Sequence, residues 1–362
     1  MRRAGPPQAS TAPGSEERGS VPPKAHEVTS VGARQHPRDV LLGAQAAAAF
    51  LPVCDHYSGV EARMRKSLQL QAEMTEEFGT CVFDVTLDCE DGAPVGGEAD
   101  HAALVCALVA QAGDAARVAV RVHAVDHPAF EADIATIAGQ VGDRLCHLMV
   151  PKVESVADVE RVVAALAAAS RVELPVHVLL ESPAAVHRAF DIAAHPRVQS
   201  LSFGLMDFVS SHGGAIPAGG MSSQGQFTHP LVVRAKLEIA SACHAYGKVP
   251  SHCVVTEFSD TGAMKAAAQK AALEFGYTRM WSIHPGQIRP ILEAFAPSEG
   301  EIENATKIIA AADRADWAPI SFEGQLHDRA SYRYFWQVLE RAHQTGRVLA
   351  QEAQVYFSAA LH

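Results

Sequence analysis

Residues 178–183, VLLESP, run three apolar residues, Val178, Leu179 and Leu180, straight into Glu181. Residues 201–208, LSFGLMDF, repeat the arrangement, with Leu201 and Phe203 followed by Gly204 and then Asp207. Two apolar runs that each finish on a carboxylate are what the carboxyl ends of barrel strands look like, because in a (β/α)8 barrel those ends face the active site. Working outward, the same short apolar runs recur from residue 50. Candidate strands are 50–54 (FLPVC), 81–87 (CVFDVTL), 117–122 (RVAVRV) and 145–151 (LCHLMVP), then 175–180 (PVHVLL), 198–203 (VQSLSF), 249–255 (VPSHCVV) and 279–283 (RMWSI). Alanine-rich helical patterns such as 156–169 and 262–275 lie between them. Strand–helix alternation implies right-handed parallel units. Eight units over about 245 residues match the usual size of a TIM barrel. An open doubly wound sheet is the rival, but VCDHYSG after the first run lacks its G-x-G-x-x-G turn.

The expected fold is therefore α/β: a (β/α)8 TIM barrel over residues 37–298, preceded by an extension and followed by helices. Residues 1–36 are rich in Pro, Gly, Ser and charge and lack apolar periodicity, so they read as a mobile extension. Residues 299–362 are strongly helical and read as a lid and oligomerisation segment. Their aromatic stripe, Tyr332, Phe335 and Trp336, must bury against something, either the chain's own barrel or a second subunit.

Composition excludes several classes. The chain has 362 residues, is 48% hydrophobic and carries a net charge of -11. That balance argues against general nucleic-acid binding and against docking on anionic membranes. No apolar run reaches the roughly 18–20 residues that span a bilayer. MRR at the start leads into no apolar stretch, so no signal peptide is read. The 7 cysteines form no C-x-x-C pair, which points to reduced thiols in the cytoplasm.

Other polar residues gather at the same strand ends: Asp88, Glu90 and Asp91 in LDCEDGAP, Arg121 in VRVHAVD, Lys152 and Glu154 in VPKVES, and His284 and Gln287 in SIHPGQI. Two carboxylates on consecutive strand ends, with an acidic pair nearby, suit a hard cation with oxygen ligands, above all Mg²⁺. Zinc would draw His or Cys, and none groups beside these acids. The plainer alternatives stay open. A single acid after a strand is often a helix cap. Arg121, costly to bury alone, is a structural ion-pair partner or an anion clamp. Lys152 fits pairing better than Schiff-base chemistry.

LDCEDGAP, VPKVES, LLESPAAV, SFGLMDF and SIHPGQI with FAPSEGEIENA together resemble the HpcH/HpaI aldolase and citrate lyase β-subunit superfamily, especially its acyl-CoA lyase branch, over about residues 48 to 345. The resemblance implies that Glu181 and Asp207 ligate Mg²⁺ and that Arg121 contacts the substrate near the reacting carbonyl. It implies that Glu90 and Asp91 order water or neighbouring side chains. Backbone amides over Gly204, Leu205, Met206 and Asp207 would hold the substrate carboxylate. EGQLHD (323–328) resembles the C-terminal lid motif, whose aspartate, Asp328, would reach a neighbouring subunit's site as an acid/base. A homo-oligomer, a trimer or a multiple of it, follows from the same likeness. The implied function is Mg²⁺-dependent C–C cleavage, or its reverse, of a hydroxyacyl-CoA thioester to an acyl-CoA and an α-keto acid or glyoxylate. The family commonly carries K-x-x-A-R after its acidic pair, whereas residues 95–103 read VGGEADHAA, with no basic residue but His101. That departure leaves a class II aldolase acting on free hydroxy-keto acids as an alternative. A non-catalytic metabolite-binding or complex subunit is the third reading.

Overall fold

Each short β-branched run becomes a parallel strand, and each alanine-rich stretch a covering helix. The structure is a computed structural model that describes residues 36–43 and 51–358; residues 1–35 of the expected extension lie outside the described residues. After a short helix α1 (Pro37–Leu42) come β1 (Cys54–Ser58), α2 (Glu61–Phe78), β2 (Phe83–Asp88), α3 (Glu98–Gln111), β3 (Val118–Arg121), α4 (Phe130–Val141), β4 (Leu145–Val150) and α5 (Val156–Ala169). The second half runs β5 (Val176–Leu180), α6 (Pro183–His187), α7 (Ala189–Ala194), β6 (Val198–Phe203), α8 (Leu205–Ser210), α9 (Pro230–Ala245), β7 (Val249–His252), α10 (Thr261–Glu274), β8 (Arg279–Ser282) and α11 (Ile288–Phe295). The strands close into a barrel in the order β1 to β8, with β8 pairing back onto β1. No helix among the described residues is long and apolar enough to cross a membrane.

The first strand is displaced from its expected position at residues 50–54. Leu51 and Val53 are buried as a lead-in, and the strand itself is Cys54–Ser58. Its sequence, CDHYS, looks like a loop because alternate side chains point into an unusually polar barrel. Buried Arg279 places Nη2 2.7 Å from Asp84 Oδ2 and 2.9 Å from Asp55 Oδ2, while Arg117 Nε lies 2.6 Å from Asp84 Oδ1. Burial opposes ionisation of Asp84, but Arg117 and Arg279 outweigh it and hold that carboxyl below its ordinary value. His147 and His177 stack beside this network with centroids 3.5 Å apart. Burial lowers both imidazoles, His177 to about 3, so the pair packs as neutral rings.

Another buried base lies outside the barrel lumen. Lys236 of α9 is fully buried; its Nζ donates to Gln226 Oε1 at 2.7 Å, lies 2.8 Å from His252 Nε2 and sits 3.9 Å over the Phe227 ring. Burial lowers its pKa to about 8. A lysine whose folded pKa lies below its unfolded one binds fewer protons when folded, so stability rises with pH between those two values. Relative to Lys236→Met, the wild-type chain should gain up to ~1.4 kcal/mol per pH unit between about pH 8 and 10. Parallel urea melts of the two proteins across that range would show it; a pH-independent difference would contradict it.

Beyond the barrel, α12 (Glu299–Arg314), a hairpin of β9 (Ile320–Phe322) and β10 (Gln325–His327), α13 (Arg329–Gln344) and α14 (Gln351–Ser358) form the expected helical extension. Ser298 opens α12 as a capping box, its hydroxyl accepting from the Glu301 amide and its own amide donating to Glu301 Oε2 at 2.8 Å. The aromatic stripe behaves differently from the intersubunit burial that the resemblance favours. Tyr332 and Trp336 are buried within the chain among Leu41, Ile302, Ile309, Trp317 and Leu339, with Phe335 packed against that cluster. Leu41 comes from α1, so the segment expected to begin the barrel at residue 37 belongs instead to this C-terminal cluster, and the barrel begins at β1. Gln344 Nε2 ties α13 to the foot of β1 through the Leu51 carbonyl at 2.9 Å.

Candidate active site

The site forms where β2, β3, β5 and β6 open at their carboxyl ends. Leu87 and Val120 face the apolar core, so the alternating Asp88 and Arg121 face inward, and the parallel register sets them side by side. Arg121 donates from Nε to Asp88 Oδ1 at 2.7 Å and from Nη2 to Asp88 Oδ2 at 2.6 Å. Its Nη1 lies 3.2 Å from Glu90 Oε2. Burial works against the guanidinium charge, but Tyr57, Asp88 and Glu90 outweigh it, so Arg121 stays charged. Glu90 is also gripped by Lys152 Nζ, and burial of Glu90 is outweighed by Arg121 and Lys152, which lower its pKa. Lys152 holds a left-handed backbone (φ 54°), a conformation that costs a non-glycine residue energy and aims its side chain across to β2. Asp91 stands at the rim, half exposed and 3.6 Å from the Lys152 ammonium.

Glu181 caps β5 and is buried, yet its Oε2 has no hydrogen-bond partner among the described residues. Burial and then the negative charge of Asp207 push its carboxyl well above the usual carboxylate range. Asp207 lies in the first turn of α8, and its carboxylate takes no hydrogen bond or ion pair from the described residues. Gly204 sits between them. A Cβ there would meet Glu181 Cγ at 2.3 Å and Oε1 at 2.7 Å, so only glycine lets the β6 backbone come this close. Two adjacent carboxylates, one buried and unpartnered, are costly without a positive charge. They fit an oxygen-ligand divalent cation.

The structure brings Arg121, Glu90, Glu181 and Asp207 to one mouth. It revises other expectations. The Gly204 amide donates to the Leu180 carbonyl at 3.0 Å, continuing the strand ladder, so it has no donor left for a substrate carboxylate; Gly204 acts through its missing Cβ instead. The first helical bond of α8 runs from Phe208 to Gly204 at 3.1 Å, which leaves the Leu205, Met206 and Asp207 amides before it as the open donors of that turn. Asp328 is the N-cap of α13, with Oδ1 accepting from the Ala330 amide at 2.9 Å and the Ser331 amide at 3.3 Å. Within its own chain it is a helix cap. The sequence reading missed Asp88 as the partner that orients Arg121, and it missed Tyr57 and Trp281 beneath it. The signal for Asp88 was its place at the inward end of β2, opposite Arg121.

A second group with ligand-like atoms, Asp55, His147 and His177, lies deeper in the barrel, all within 4.8 Å of one another. The two rings are nearly parallel, 13° apart, with centroids 3.5 Å apart. A metal bonds in the plane of an imidazole, and two planes stacked this closely and inclined by only 13° meet too far from either ring for one ion to bond both. Asp55 is in any case engaged by Arg279.

Comparison with known proteins bears on this site. The family model for HpcH/HpaI aldolase/citrate lyase matches residues 68–285. An L-malyl-CoA/beta-methylmalyl-CoA lyase of Cereibacter sphaeroides is 32% identical over 243 residues, 62% of this chain and 76% of that protein. A citrate lyase subunit beta-like protein of Deinococcus radiodurans is 32% identical over 253 residues, 67% of this chain and 84% of that one. Among solved structures, a citrate lyase from Burkholderia xenovorans LB400 is 48% identical, covers 90% of this chain and 100% of its own, and superposes with a TM-score of 0.73. Protein CitE of Mycobacterium tuberculosis, in complex with magnesium, acetoacetate and coenzyme A, shares the fold at 22% identity and a TM-score of 0.60, over 81% of this chain and 98% of its own.

Proposed function

The chain belongs to the HpcH/HpaI aldolase/citrate lyase family and is a carbon–carbon lyase, and on that premise we propose that it cleaves, or forms, a hydroxyacyl-CoA thioester, yielding an acyl-CoA and an α-keto acid or glyoxylate. The observation that carries this reading is the buried, unpartnered Glu181 Oε2 beside Asp207. Glu181 and Asp207 would hold Mg²⁺, which when bound acts as a Lewis acid and template for a hydroxy acid. The chain's own residues do the rest. The Leu205 and Met206 amides offer donors to a carboxylate at the same turn. Arg121 spends Nε and Nη2 on Asp88, and Nη1, which lies 3.2 Å from Glu90 Oε2, has a second N–H for the oxygen that gains charge as the C–C bond breaks. Glu90, ionised between Arg121 and Lys152, accepts from the Lys152 ammonium and lies 3.2 Å from Arg121 Nη1, so it holds both cations at the mouth of the site. Asp91 lies behind it at the rim and helps hold Lys152.

One observation favours the free-acid alternative. The first turn of α3 carries Glu98 and Asp100, and residues 95–103 carry no Lys or Arg, so this part of the rim has no cation for a polyanionic carrier. A coupled cleavage screen over malyl-CoA, citramalyl-CoA, citryl-CoA and free hydroxy-keto acids, with and without Mg²⁺, separates the readings. Mg²⁺-dependent cleavage of a thioester supports the lyase; cleavage of free acids alone supports the aldolase; no cleavage of any of them counts against both.

Binding leads activity to a further expectation. Ligands that bind only the folded chain raise its stability, by ~2.7 kcal/mol at a hundred times Kd. Saturating Mg²⁺ should raise Tm, and pyruvate or acetyl-CoA should raise it again only when Mg²⁺ is present. An Mg²⁺-independent response would contradict a shared metal. Assembly into a homo-oligomer, a trimer or a multiple, is what the family resemblance implies. Light scattering of the purified chain tests it.

A further inference from the structure

Two bonds to Asp88 and the 3.2 Å contact of Nη1 with Glu90 hold the Arg121 guanidinium by its edges. What holds the flat face is aromatic. The Arg121 Cζ lies 4.6 Å from the centroid of the Tyr57 ring. The other side of that ring is backed by Trp281, with centroids 4.7 Å apart and planes inclined by 26°. Tyr57 projects inward from β1 and Trp281 from the neighbouring β8, and the two strands pair directly, so the stack is built on rigid elements. Met149 and Leu179, inward-facing on β4 and β5, complete the same apolar layer.

Neither aromatic serves as a simple core filler. Tyr57 Oη and Trp281 Nε1 are both buried without a hydrogen-bond partner among the described residues, although burying such groups unsatisfied is costly. The layer lies one residue pair below the site: Leu179 precedes Glu181 by two positions on β5, and Tyr57 touches Arg121.

We propose that Tyr57, backed by Trp281, is a positioning residue for catalysis: its ring face sets the tilt of Arg121, so that the second Nη1 N–H, the one not facing Glu90, meets the developing enolate oxygen. The inference rests on the lyase reading and adds to it a positioning residue on β1. A ring without the hydroxyl keeps the face, so Tyr57→Phe should stay within about threefold of wild type. Tyr57→Leu removes the face and leaves the ion pair to Asp88. It should lower kcat about tenfold with KM near wild type, because a tilt of Arg121 weakens only the charge that develops in the transition state.

The experiment is a kcat and KM comparison of wild type, Tyr57→Phe and Tyr57→Leu on the best thioester of the cleavage screen, with Tm recorded for each. A fall in kcat for Tyr57→Leu alone, at equal KM, supports the proposal. Equal kcat for all three overturns it, as does a Tyr57→Phe protein as impaired as Tyr57→Leu, which would place the effect in the hydroxyl. A purely structural residue would lower Tm without splitting kcat from KM, and that result also overturns it. If the wild-type chain cleaves nothing, the lyase reading fails on its own. The positioning claim is then decided by relaxation of the Arg121 Nε–H resonance, assigned with Arg121→Lys: guanidinium motion that increases in Tyr57→Leu but not in Tyr57→Phe supports it, and unchanged motion in both overturns it.

Discussion

Replacing Arg121 by lysine lowers the cleavage rate by a factor of ~10²–10³, with little change in KM. That is the range found when one preorganised donor to a developing oxyanion is lost. Lysine keeps the positive charge but not the planar fork, so it cannot satisfy both oxygens of Asp88 and also reach outward. An ammonium at this position would settle on Asp88 and Glu90, which together form a stronger local attraction than any neutral substrate oxygen. The choice of lysine also matters for folding. An apolar residue would leave the buried Asp88 carboxylate uncompensated, and breaking a buried pair from one side typically costs about 3–5 kcal/mol. Steady-state kinetics with Tm measured alongside check the prediction. A kcat within a few-fold of wild type would mean that Arg121 is a structural ion-pair partner, the plainer of the alternatives its sequence left open.

Asp207→Ala is expected to abolish Mg²⁺-dependent cleavage altogether while the chain still folds. The side chain is half-buried, makes no hydrogen bond to the rest of the described protein, and lies in the first turn of a short helix, so little of the fold depends on it. Its removal even relieves Glu181 of a neighbouring negative charge, the second cause of that carboxyl's raised pKa. Stability should therefore hold or rise slightly as activity vanishes. This opposition between stability and activity is the mark of a group kept for function. Cleavage assays over a range of Mg²⁺ concentrations, with Tm from the same samples, give both numbers. Retained Mg²⁺-dependent turnover in Asp207→Ala would remove it from the metal site.

Much of this was legible in the residues because barrel strands bury both faces and so write themselves as short apolar runs. The strands from β2 to β8 fall within three residues of where their apolar content places them. β1 does not, because Asp55 and His56 are buried through partners far along the chain, Arg279 and Ser282, which no local pattern reveals. The same limit explains the site. Glu181, Asp207 and Arg121 stand out as polar residues ending apolar strands. That Asp88 grips Arg121 with both oxygens, with Glu90 adding a single contact, depends on the β2–β3 register, which pairs Asp88 with Arg121. The Tyr57–Trp281 stack needs the barrel to close, since it joins the first strand to the last. The role of the aromatic stripe on α13 was hidden for a similar reason: part of its cover, Leu41, comes from the other end of the chain. The Gly204 amide was misread because a loop glycine before a helix looks like an open donor, whereas the strand ladder continues through it.

The central claim is that Glu181 and Asp207 together grip one divalent cation, and calorimetric titration of Mg²⁺ into the wild type, Glu181→Gln and Asp207→Asn chains tests it most directly. A single binding event in the wild type that disappears in both variants is the predicted result. Mg²⁺ binding of wild-type strength in either variant, or none in the wild type, would contradict it.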